Sequence, residues 1–143
     1  MINYSKKIVS VTFALILSFL SFGALAETAV IVNPANDSTL SKDDISNLYL
    51  GKSKTFSNGD KAVCLDREEG SDIRVGFLDT VVGKRERQMK SYWARLIFTG
   101  KGIPPTVIET DAEVVELVGK NKDHIGFVDA SAVDGSVKVI LKF

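Results

Sequence analysis

The sequence predicts an α/β domain, a mainly parallel sheet flanked by helices, and three observations carry that prediction. Short apolar runs of β type at 28–33, 61–65, 125–128 and 137–143 alternate with stretches of helical periodicity. Capping and stop residues bound those stretches, with Ser41, Ser71 and Thr110 before them and Gly51, Gly83 and Gly119 after them. A hydrophobic content of 45% supplies a core without disulfides, since the single cysteine, Cys64, has no partner within the chain.

Of the 143 residues, the first 26 read as a targeting segment. Lys6 and Lys7 form a basic start, residues 8–22 are almost wholly apolar, and Ala24-Leu25-Ala26 is the small-x-small pattern that signal peptidases cut. The apolar run is shorter than the roughly 20 residues of a spanning helix. Cleavage is expected before Glu27, with export to the periplasm and no membrane span left. Residues 27–143 then form one domain of 117 residues with 16 basic and 18 acidic side chains, Lys6 and Lys7 having gone. That balance gives no footprint for nucleic acid or for an acidic membrane surface.

The elements follow in order. Residues 28–33 form a strand, broken by Asn33-Pro34. Ser41 with Asp44 is close to a capping box and starts a helix with Ile45, Leu48 and Tyr49 inward and Gly51 as its stop. Ser57-Asn58-Gly59-Asp60 is a turn into strand 61–65, where Cys64 is expected to pack as a small hydrophobe. Ile73, Phe77, Leu78, Val81 and Val82 share one face of a helix that Ser71 caps and Gly83 ends. Met89, Tyr92, Trp93, Leu96 and Ile97 give the next helix its apolar face, and two glycines and two prolines within residues 99–105 halt it. Thr106 to Ile108 is a short strand, and Thr110 with Glu113 makes a capping box for the last helix. Residues 125–128 are a buried strand, and 137–143 an alternating one after a turn at Asp134-Gly135.

Groups for catalysis are scarce. His124, the only histidine, stands in a polar turn, where a structural or surface role is expected, and no spacing of histidine, cysteine and carboxylate suggests a metal. Gly100-Lys101-Gly102 follows a helix and lacks the strand and spacing of a phosphate loop. The stretch with chemical promise is the charged turn after strand 61–65. Gly70-Ser71 at a helix start offers free N–H groups and the positive end of the helix dipole, and Arg67 and Arg74 bracket it with forked donors. The plainer alternative is that Ser71 only caps its helix while both arginines pair with Glu68, Glu69 and Asp72.

Val30-Ile-Val-Asn-Pro34, Ile45-Ser-Asn-Leu-Tyr-Leu-Gly-Lys52, Asp66-Arg-Glu-Glu-Gly-Ser71 and Ile125-Gly-Phe-Val128 occur in that order. The series resembles one lobe of the periplasmic phosphate-binding proteins that serve ABC transporters, over about residues 28 to 143. It is also similar to short, single-lobe members carrying the Tyr-Trp…Phe-Thr-Gly-Lys-Gly…Pro-Pro segment seen at 92–105. The resemblance implies a non-enzymatic protein without cofactor, holding phosphate or a similar oxyanion at the turn. Arg67 matches the family's binding arginine, Glu69 its acidic partner, Gly70-Ser71 the first half of its Gly-Ser-Gly-Thr turn, and Arg74 an arginine that often follows. Asp72 and Ile73 depart from the second half. Ile73 removes a hydroxyl, and the Asp72 charge would repel an anion charge at about 4 Å by about 1 to 4 kcal/mol. With one lobe in place of two, the resemblance implies weak binding, near millimolar. The alternative is a cell-envelope interaction module that kept the fold and lost the ligand, pairing with an envelope partner or with another copy of itself.

The leader generates the first prediction. N-terminal mass analysis of the protein from the envelope fraction should place its first residue at Glu27, and retention of residues 1–26 there would contradict it.

Overall fold

The computed structural model describes residues 26–143, so the expected leader at 1–26 lies almost wholly outside the described residues. Five strands form one sheet: β1 (Thr28–Val32), β2 (Val63–Asp66), β3 (Thr106–Val107), β4 (His124–Asp129) and β5 (Lys138–Lys142), in the order β3-β2-β4-β1-β5. β2 pairs in parallel with β3 and with β4, whereas β1 pairs antiparallel with both β4 and β5. Four strands therefore run one way and β1 alone runs against them. The expected co-directional set is present, but the sheet is mixed because its reversed strand lies inside it.

Alternation along β1 puts Val30 and Val32 on one face and Ala29 and Ile31 on the other, and all four are buried. Helices cover both faces. On the first lie α1 (Lys42–Tyr49), α2 (Asp72–Phe77) with a π-helical continuation (Leu78–Val82), and α3 (Glu86–Phe98). On the second lies α4 (Asp111–Lys120), which brings Val114, Val115 and Val118 against Ala29, Ile31 and Val128. The rings of Phe77 and Phe127 stack 3.9 Å apart, with the edge of Tyr49 4.7 Å from Phe77. The Tyr49 hydroxyl donates to Leu65 O at 2.8 Å, so this buried polar tip is satisfied.

The local signals resolve unevenly. Ser41 and Asp44 form the full capping box, and Gly83 ends the second helix in the left-handed region. Thr110 Oγ1 accepts from the Glu113 amide, which is half of the box its sequence predicts. Ser71 stands at the N-cap position of α2, yet its hydroxyl donates back to Glu68 O at 2.7 Å instead of accepting from the helix. Ile97 is 53% exposed, not inward, and Phe98 beside it at the end of α3 is 92% exposed, so the last turn of α3 stands out into solvent. Cys64 is half-buried, and burial pushes its thiol up to about 12, so it is chemically quiet.

Gly51 closes α1 with φ +67°, and a Cβ there would stand 2.9 Å from Trp93 Cη2. Both the backbone conformation and the ring demand glycine. Gly51→Ala should therefore cost at least about 2 kcal/mol. Gly59→Ala, at φ +89° with nothing within 4 Å of the added carbon, should cost only the conformational share, about 1 kcal/mol. Urea unfolding followed by the single tryptophan checks the pair.

Candidate functional site

β2 delivers Asp66 and then Arg67 at its C-terminal end, and the chain turns through Gly70, at φ +84°, into α2. Arg67 is 7% exposed and points away from the turn. Its Nε donates to Ile108 O at 3.1 Å, Nη2 to Glu109 O at 3.1 Å, and Nη1 to Phe127 O at 3.4 Å and to the Asp111 carboxylate. The guanidinium is enclosed by acceptors of its own chain.

Arg74 lies in the second position of interest, and its fork is also engaged. Nε reaches both Asp66 oxygens at 3.1 and 3.2 Å, and Nη1 donates to Glu86 Oε1 at 3.0 Å. The same Glu86 oxygen accepts from the Gly70 amide at 2.8 Å. A carboxylate oxygen from the first turn of α3 thus stands where a backbone N–H of the turn and a guanidinium converge. The Gly70 amide, with Arg74, holds the Glu86 carboxyl below the usual range, while burial pushes Asp66 up against the opposing pull of Arg74. Asp66, Arg74 and Glu86 together carry one net negative charge.

The turn brings together Gly70, Ser71 and Arg74. Arg67 is turned away from it, Asp72 is exposed, and Ile73 packs half-buried against the core. Glu69 meets only Lys90, at 3.8 Å on the exposed surface. The bracketing arginines do pair with carboxylates, but with Asp66, Glu86 and Asp111, not with Glu68, Glu69 and Asp72. No group of three metal-binding side chains exists among the described residues, and none of the described helices is long and apolar enough to cross a membrane.

No family model and no characterised relative matches the sequence at a significant level. Solved structures do match. An ABC-type phosphate transport receptor from Vibrio cholerae superposes with a TM-score of 0.61 at 24% identity, covering 80% of this chain and 46% of that one. A Clostridium perfringens protein assigned as a phosphate ABC transporter substrate-binding protein, solved with bound phosphate, gives 0.64 at 23% identity, with 80% and 45% covered. PstS from Borrelia burgdorferi gives 0.58 at 12%, with 80% and 47%. The chain has the fold of one lobe of a periplasmic binding protein. It spans less than half the length of the structures it matches.

Within this lobe, Glu86 is the residue that sequence reasoning missed. It lies 16 residues from Gly70, and no short motif joins them. The one usable signal is an acidic residue in the first turn of a helix just after the Gly83 stop, where the chain doubles back.

The lowered Glu86 carboxyl generates a pH prediction. Its stabilising contribution is whole above its ordinary value of 4.5 and is lost as pH falls through the lowered folded value. Asp66, pushed up chiefly by burial, acts in the opposite sense, and losing the Glu86 charge relieves only the smallest of the influences on it. Glu86→Gln should therefore be less stable than wild type by about 1 kcal/mol near neutrality. That gap should close as pH falls below 4.5, as read by urea unfolding across a pH series.

Proposed function

We propose that this chain is an exported, non-enzymatic binding lobe of the periplasm, whose Gly70–Arg74 turn takes phosphate or a similar oxyanion weakly, in competition with its own Glu86. The observation that carries the proposal is Glu86 Oε1 between the Gly70 amide, 2.8 Å away, and Arg74 Nη1, 3.0 Å away. The turn is a seat for anionic oxygen, and it is filled by one. The phosphate-binding neighbours support an oxyanion as the external ligand.

Gly70, Ser71 and Arg74 would donate to the bound oxyanion, with Asp72 and Ile73 at its rim. Arg67 braces the strand end behind them and does not touch the ligand. The incoming anion must displace Glu86 from two hydrogen bonds and enter a cluster that is already one charge negative, so a dissociation constant near millimolar, about −4 kcal/mol, is expected.

Calorimetric titration with phosphate and sulfate tests this reading. Glu86→Ala removes the competitor and one negative charge, and should raise phosphate affinity at least about tenfold, since a charge-assisted bond contributes roughly 1.5–3 kcal/mol. Adding Asp72→Gly and Ile73→Thr should raise it further. A folded Glu86→Ala protein that takes no phosphate at millimolar concentrations would sink the proposal. A second reading would then take its place, an envelope interaction module that joins a protein partner or its own copy. Phe98 and Ile103, 92% and 90% exposed, favour such a surface.

A further inference from the structure

A cavity of about 500 Å³ opens at the other end of β2, between the C-terminal ends of α1 and α3 and the loop at 100–105. It shares no lining residue with the Gly70–Arg74 turn. Its volume falls in the range of sites that enclose small molecules, about 300–1,000 Å³. Val63, Cys64 and Trp93 contribute apolar lining, and Ile103 and Pro104 add to it from the loop. Three lysines, Lys54, Lys61 and Lys101, also line it, and no lining residue is acidic. None of the three is in an ion pair among the described residues, although the chain has as many acidic as basic side chains.

Trp93 stands in the wall of this cavity. Its six-membered ring lies between Gly51 and Gly102, where an added Cβ would come within 2.9 and 3.1 Å of it. Trp93 is 8% exposed, and its indole N–H is buried away from solvent, without an acceptor among the described residues. The ring is thus held in the wall of the cavity, beside an apolar lining and three lysines without an ion pair among the described residues.

The geometry points to a second binding site, here, for a small amphiphilic carboxylate. The apolar body of the ligand covers Val63, Cys64 and Trp93, and its carboxylate lies among Lys54, Lys61 and Lys101. A bare inorganic anion would leave the apolar lining wet, and an uncharged or cationic amphiphile would gain nothing from the lysines, or be repelled by them. The Cys64 thiol, protonated and quiet, acts here only as apolar surface.

Trp93 is the only tryptophan in the chain, so its fluorescence reports on this cavity directly. The full mature protein is titrated with octanoate, octanol, octylammonium and inorganic phosphate. Octanoate should give a saturable change, with octanol at least about tenfold weaker, octylammonium inactive, and phosphate unable to displace octanoate at equal concentration. The triple variant Lys54→Gln, Lys61→Gln, Lys101→Gln should lose at least about tenfold in octanoate affinity while its weak octanol response persists, which also shows that the cavity is still formed. Lys122→Gln, at a surface lysine outside the cavity, should bind octanoate as wild type does. No saturable response to octanoate, equal responses to all three eight-carbon probes, displacement by phosphate, or full octanoate binding by the triple variant would each overturn the assignment.

Discussion

The buried guanidinium of Arg67 is the constraint on which the β2–α2 end of this domain depends. A charge with 7% exposure survives only if its donors are met, and here Ile108, Glu109, Asp111 and Phe127 meet them. Those acceptors come from the segment between β3 and α4, from the start of α4, and from β4, so one side chain binds three parts of the fold to the end of β2. Removing it would leave the Asp111 carboxylate without its cation and several carbonyls without their donor, a loss of about 3–5 kcal/mol by analogy with other broken buried pairs.

Alternation along β2 does the rest. With Arg67 drawn to one side, Asp66 is presented to the other, where Arg74 reaches it from α2. Arg74 is shared with Glu86, and Glu86 reaches on to Gly70. The turn that looks most open in the sequence is thus the last link of an ion-pair chain that begins in the core. Its shape and the carboxylate that meets its donors are set by the fold itself.

Much of the fold was legible because its signals are local. Ser41 with Asp44, the Gly83 stop, and the apolar strand at 28–32 act within a few residues and appear as predicted. Strand direction was not legible, since nothing within 28–32 tells β1 that it will lie between β4 and β5 and run against both. Ile97 keeps helical periodicity yet is exposed, because periodicity marks a face and not what covers it. At the site, Gly70, Ser71 and Arg74 were found as a group. The inward turn of Arg67 and the arrival of Glu86 both depend on partners between 16 and 60 residues away, beyond the reach of any short pattern.

The place of β1 in the sheet also bears on how the chain comes to be folded. The first strand is hydrogen-bonded only to the last two, with Thr28 opposite Asp129 and Ala29 opposite Lys142, so the centre of the sheet is closed by contacts about a hundred residues apart. Such high contact order delays collapse into the native arrangement, because a long loop must close before the contacts that reward it exist. A nascent chain lacking its last dozen residues has no β5 to flank β1, and it stays short of its finished core until synthesis is nearly complete.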